Sequence, residues 1–221
     1  MDKRITIFSG HYGSGKTNLA VNYAIHQKSL GNEVSIADLD IVNPYFRTKD
    51  SENGLKELGI RLIALPFANT SVDLPSMPSE AYGLFEQRQG KVIIDLGGDD
   101  RGALALGRFL PRLLEENSFE MVFTVNFYRP LTTNAEEAYE VFREIEYASR
   151  LKFTKIVNNS NLGEATTADD VIRTIDETER LCALTGVECA FTSVDERLAD
   201  KVAEKVGKDR VFPLKLQEKL F

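Results

Sequence analysis

Gly10, His11, Tyr12, Gly13, Ser14, Gly15, Lys16 and Thr17 run in the spacing G-x-x-x-x-G-K-[ST], between an apolar run (5–8) and a segment of helical period carrying Ala20, Val21, Ala24 and Ile25. Strand, loop and helix in that order make an anion cradle. Glycines at 10, 13 and 15 let backbone N–H groups turn inward around phosphate oxygens, and the helix start adds its positive dipole end. Lys16 is placed to reach the β and γ phosphates. Thr17 offers a hydroxyl to Mg2+, and Ser14 and Asn18 complete the expected phosphate contacts. A turn needing only tight geometry has no use for Lys16 and Thr17 beside three glycines.

Two acidic sites follow apolar runs, where ligands bind in parallel α/β sheets. After 34–37 come Asp38, Asp40, Asn43, Pro44 and Arg47; after 92–94 come Asp95, Gly97, Gly98, Asp99 and Asp100. A carboxylate ending a strand can hold Mg2+ directly or through water, which makes Asp95 the expected metal-shell residue, with Thr17 and Asp40 as the other metal candidates. Asp40 is expected to orient an attacking water, making Lys16 and Asp40 the catalytic pair. Asp38 reads as structural or as part of the metal's outer shell. Asp99 and Asp100 read equally well as turn and capping residues.

These residues need strands whose carboxyl ends lie side by side. Apolar runs at 5–8, 34–37, 62–65, 92–96, 121–125, 153–157 and 187–191 alternate with helical segments, the pattern of parallel strands covered on both faces. The expected fold is α/β: a three-layer, doubly wound, mostly parallel sheet of about seven or eight strands, formed by residues 1–221 as one domain. Leu106, Phe109, Leu110, Leu113 and Leu114 mark one apolar helical stripe, Ala135, Ala138, Tyr139, Phe142 and Ile145 a second, and Leu198, Ala199, Val202, Ala203 and Val206 a third. Residues 66–78 are rich in Pro, Ser and Asn and read as a long surface loop.

With 221 residues, 43% hydrophobic and 28% charged, the chain has ordinary globular usage. A formal net charge of -7 supplies no global field for nucleic acid or an anionic membrane. No apolar window is long enough for a membrane span or a signal h-region, which points to the cytoplasm. Cys182 and Cys189 form no CxxC pair, so a disulfide framework and a self-contained metal site are both disfavoured. Cys182, on a stripe with Val171, Ile172 and Ile175, and Cys189, in an apolar run, read as small core hydrophobes.

Taken together, the loop, the Asp38-x-Asp40-Ile-x-x-Pro44 segment and the Ile94-Asp95-x-Gly97-Gly98 segment resemble the MinD, ParA and Mrp group of P-loop ATPases. This SIMIBI-class domain, of the CobQ/CobB/MinD/ParA type, also occurs in the nickel-insertion ATPase of carbon monoxide dehydrogenase and in nitrogenase iron protein. The resemblance covers most of the chain. It implies ATP and Mg2+, slow hydrolysis, ATP/ADP as bound nucleotides, a possible nucleotide-dependent homodimer and a protein partner or cargo, with Asp40 in the first switch and residues 95–98 in the second. His11 stands where the family's deviant loop has a lysine, and the cysteine pair of the cluster carriers is missing. His11 reads as a spacer inside the loop. Arg47 and Arg101 are the cations the sequence offers in its place.

The segment Asn158, Asn159, Ser160, Asn161 resembles the base-reading N-K-x-D element of related GTPases, with Asn161 at the acidic position. Guanine selection uses a carboxylate accepting from two donors, so adenine is favoured, and Asn158 is the expected base contact. Two other functions share these parts: a small-molecule kinase or ATP-dependent ligase, with 126–133 and 66–78 as the acceptor candidates, and a non-hydrolysing ATP-binding module.

Overall fold

The computed structural model describes residues 3–40, 52–64, 83–84, 89–98, 106–107 and 109–216. Eight strands form one sheet: β1 (Ile5–Ser9), β2 (Val34–Leu39), β3 (Arg61–Ala64), β4 (Lys91–Leu96), β5 (Phe119–Val125), β6 (Lys155–Asn158), β7 (Cys189–Asp195) and β8 (Val211–Leu214). Their order is β3-β2-β4-β1-β5-β6-β7-β8, and every pair is parallel. Among the described residues the helices include α1 (Lys16–Ser29), α2 (Glu52–Glu57), α3 (Leu110–Glu116), α4 (Ala135–Ser149), α5 (Ala168–Arg173), α6 (Ile175–Thr185) and α7 (Ala199–Val206).

Why the strands read as unbroken apolar runs is visible in how they are covered. Ile5 and Ile7 of β1, Ile94 and Leu96 of β4 and Met121, Phe123 and Val125 of β5 share a core with Leu113, Ala138, Phe142 and Leu181. Phe8, Ile36, Ile93, Val122 and Val157 face the other way onto Leu19, Ala20, Tyr23 and Ala24 of α1. Side chains alternate in direction along a strand, so both faces need apolar partners. Beside the β7–β8 edge, Ala168, Val171, Val194 and Val202 make a smaller cluster.

The α/β doubly wound expectation holds, with the sheet parallel throughout rather than mostly so. β8 is not among the seven apolar runs: it has four residues and contains Pro213. Proline cannot donate to a ladder, and β8 can hold one because it is an edge strand. β7 begins later than the run suggests and continues to Asp195, which brings a carboxylate to its carboxyl end. Leu114 is 57% exposed, outside the core its stripe predicts, whereas Leu106, Phe109 and Leu113 are buried. The segment 66–78 and residues Asn43, Pro44, Arg47, Asp99, Asp100 and Arg101 lie outside the described residues. No helix among the described residues is long and apolar enough to cross a membrane.

Candidate functional site

From β1 the chain passes over β4 to reach β2, and after β4 it returns to lay β5 on β1's other side. Residues 10–15 thus leave the sheet where its winding reverses, the usual place for a ligand in such folds. They lead into α1, whose N-cap is Gly15 in the left-handed region (φ 81°), with no side-chain cap and no acidic residue in the first turn. By contrast, α4 is capped by Asn134, whose side chain accepts from Glu137 N, and carries Glu136 and Glu137 in its first turn. The α1 start thus has neither a capping side chain nor an acidic residue of its own first turn, which suits its dipole end to an anion.

Lys16 and Thr17 are each only 4% exposed. Lys16 Nζ lies 2.5 Å from Asp40 Oδ2, and Thr17 Oγ1 donates to Asp95 Oδ2 at 2.6 Å. Asp38 and Asp95 are directly paired across β2 and β4, and Asp38 Oδ1 accepts from Asp40 N at 3.0 Å. Burial alone would lower the Lys16 ammonium, but the carboxylates of Asp95, Asp40 and Asp38 outweigh it and raise its pKa. Burial pushes the Asp95 carboxyl up to about 6; Lys16 and the Thr17 hydroxyl pull it back, and Asp40 adds to the rise.

This shift has a measurable sign. The folded chain holds a proton on Asp95 across a pH range in which the unfolded chain has lost it, so ligand-free stability falls as pH rises from about 4 to about 6 and then levels. Urea unfolding at pH 4–8 should show this component in the parent chain and not in Asp95→Asn; equal slopes in both would contradict the assignment.

Close backbone approach explains two glycines. A Cβ on Gly10 would lie 2.2 Å from the Thr124 carbonyl oxygen, and one on Gly98 would lie 2.1 Å from the Gly10 carbonyl oxygen. The end of the β4 loop therefore rests directly on the phosphate loop. Ser14 is buried, and among the described residues its Oγ and Asp95 Oδ1 have no hydrogen-bond partner. An orphaned carboxylate oxygen beside a threonine hydroxyl suits an oxygen-seeking cation such as Mg2+, which would share Thr17 and Asp95 with phosphate oxygens.

A cavity of about 600 Å³ runs from Gly13, Lys16, Thr17 and Asn18 past Asn159 and Asn161 to Asp195 and Leu216. Its size falls within the range of small-molecule sites. Asn158, expected to read a base, is not on this surface. It is fully buried, its Nδ2 donating to Thr174 Oγ1 at 2.9 Å and its Oδ1 accepting from Ser160 N at 3.0 Å, so both ends of the amide are taken inside the protein. Its neighbour Asn159 points the opposite way. Asn159 Nδ2 donates to the Ser14 carbonyl at 2.7 Å and its Oδ1 accepts from Ser193 Oγ at 2.7 Å, which ties β6 and β7 to the phosphate loop. Asn161 Nδ2 donates to the Asn159 carbonyl, and its Oδ1 accepts from Gly163 N. Asp195 lines the far end and is held by a two-pronged Arg197 pair. Sequence reasoning missed Asn159 and Asp195; only the alternation of side chains beyond β6 and the true end of β7 reveal them.

Solved structures share this architecture. The signal recognition particle receptor FtsY from Elizabethkingia anophelis in complex with GDP aligns at 16% identity and a TM-score of 0.55, covering 99% of this chain and 61% of that chain. The cell division protein FtsY from Thermotoga maritima aligns at 15% identity and a TM-score of 0.64, covering 99% and 66%. Chloroplast FtsY from Physcomitrella patens aligns at 16% identity and a TM-score of 0.64, covering 99% and 63%. The chain has a P-loop NTPase-like fold. At these identities the likeness is one of fold, and this chain spans less than two thirds of the length of those proteins. No protein-family model matches the sequence, and no curated protein matches it.

Proposed function

We propose that this chain binds a nucleoside triphosphate with Mg2+ on the loop Gly10–Thr17, hydrolyses it slowly and acts as a nucleotide-controlled switch on a protein partner. The observation that carries this reading is the buried cluster of Lys16, Thr17, Asp40 and Asp95 at the uncapped start of α1. Here Lys16 takes phosphate charge, and Thr17 and Asp95 would hold the cation, whose chemistry when bound would be to offset charge on the phosphate oxygens. Asp40, released from Lys16 by the incoming phosphates, is left to orient water. Gly13, Gly15 and Asn18 line the phosphate end of the cavity, and Gly10 and Ser14 belong to the same loop. The motif resemblance to MinD, ParA and Mrp ATPases supports the switch, with the chain beyond Asp40 and beyond Gly98 as its two outputs.

ATP is the nucleotide we favour, because Asn161 stands where a guanine-reading carboxylate would and its amide is spent on backbone groups. GTP is the competing reading: a protein of the same fold is known with GDP, and the Asp195 carboxylate lines the cavity. Calorimetric titration of ATP and GTP with Mg2+, beside phosphate release, decides. ATP at least tenfold tighter supports the proposal, GTP tighter overturns the base assignment, and no binding of either overturns the whole. In the same assay Asp40→Ala is expected to keep binding and to slow hydrolysis by roughly 100-fold, the scale of losing a positioned base.

A further inference from the structure

Lys16 is outnumbered before any ligand arrives. Asp38, Asp40 and Asp95 are all within electrostatic reach of it. A nucleoside triphosphate adds several more negative charges, of which a bound Mg2+ would offset two, so further positive charge beside the loop favours binding. Among the described residues lining the cavity, the cations are Lys16 and Arg129, and the other charged groups there, Glu164 and Asp195, are acidic.

Arg129 is held against the loop from outside it. Its Nε donates to the Gly13 carbonyl at 3.0 Å, across 116 residues of sequence. The Arg129 side chain lies over Gly13, where its Cδ and Nε would be 3.4 Å from a Cβ on that glycine (φ 78°). The segment presenting it is cross-braced. Arg129 N donates to the Asn126 carbonyl, Tyr128 N to Asn126 Oδ1, and Thr132 Oγ1 to the Asn126 carbonyl at 2.8 Å. Asn126 and Thr132 are buried, and Tyr128 Oη reaches the Asp170 carbonyl at 2.8 Å. With Nε fixed, the guanidinium plane is set while Nη1 and Nη2 make no hydrogen bond among the described residues. A planar fork with four unspent N–H donors is suited to phosphate oxygens.

We propose that Arg129 is a second phosphate-binding cation of this site, supplied in cis from the β5–α4 loop and oriented by the Gly13 carbonyl. The inference rests on the nucleotide reading and deepens it: the group recognised is the polyphosphate, whatever the base. It also gives the segment 126–133 a role other than holding an acceptor substrate.

The test uses the full chain with Arg129→Ala, Arg129→Gln and Arg129→Lys, titrated with inorganic tripolyphosphate and with Mg-ATP, and with phosphate release measured alongside. Gln keeps a neutral donor for the Gly13 carbonyl, and Lys keeps the charge. Ala and Gln are expected to weaken tripolyphosphate binding by roughly tenfold or more, with Lys in between, as for hydrogen bonds to charged groups. Parent-like binding by Gln would reduce Arg129 to a brace for the loop and overturn the inference, as would parent-like binding by all three. In both cases intact ATP binding by the parent leaves the proposed function standing. If the parent binds neither probe, and no better than Lys16→Ala, both readings fall.

Discussion

Lys16→Ala is expected to abolish measurable nucleotide binding and at the same time to weaken the ligand-free fold. Lys16 Nζ and the Asp40 carboxylate are 2.5 Å apart, with side chains 4% and 6% exposed. Removing one partner of a buried pair strands the other in low dielectric, a loss of about 3–5 kcal/mol. Asp95, already pushed up to about 6, loses the cation that restrains it and should shift further upward. Chemical denaturation and calorimetry on Lys16→Ala and on Lys16→Ala/Asp40→Asn separate the two effects. The double variant should regain much of the stability and none of the binding. Recovered binding in the double variant would show that Lys16 serves the fold and not the phosphates.

The second large effect is expected at Gly98. Alanine there would put a Cβ 2.1 Å from the Gly10 carbonyl oxygen and 2.7 Å from the Gly10 carbonyl carbon. Both are backbone atoms, so no rotamer change relieves the clash; either the phosphate loop or the chain beyond β4 must move. Gly10 cannot retreat freely, because its own Cβ position is 2.2 Å from the Thr124 carbonyl oxygen on β5. Displacements of about 1 Å in a phosphate site are costly, and nucleotide affinity is expected to fall by about 100-fold or more. Gly83→Ala, whose Cβ would meet nothing within 4 Å among the described residues, is the matched control. Parent-like affinity in Gly98→Ala would mean that the contact is not maintained when ligand binds.

The parts of the site that were legible in the sequence are those whose geometry is local. Gly10 to Thr17 sit between a strand and a helix adjacent in sequence, and Asp40 and Asp95 follow apolar runs, so strand polarity alone brings them to one edge. Asn159 and Arg129 were not legible, because each acts through a contact 145 or 116 residues away with the Ser14 or Gly13 carbonyl. Asn158 shows how a motif can miss by one position. At the end of β6 successive side chains point to opposite faces, so choosing between two neighbouring asparagines means choosing between the interior and the cavity. The sheet followed a similar division: buried apolar runs announce β1 to β6, whereas β8 is four residues long and interrupted by proline.

That proline bears on how copies of the chain can meet. An open sheet usually invites pairing at its edges, where a row of unpaired N–H and C=O groups can template a foreign strand. At β8, Pro213 removes a donor from the middle of a four-residue strand, leaving too short a ladder to extend. Growth of the sheet from one molecule into the next is therefore blocked on that side, and self-association across this edge has to be built from side chains instead of a shared ladder.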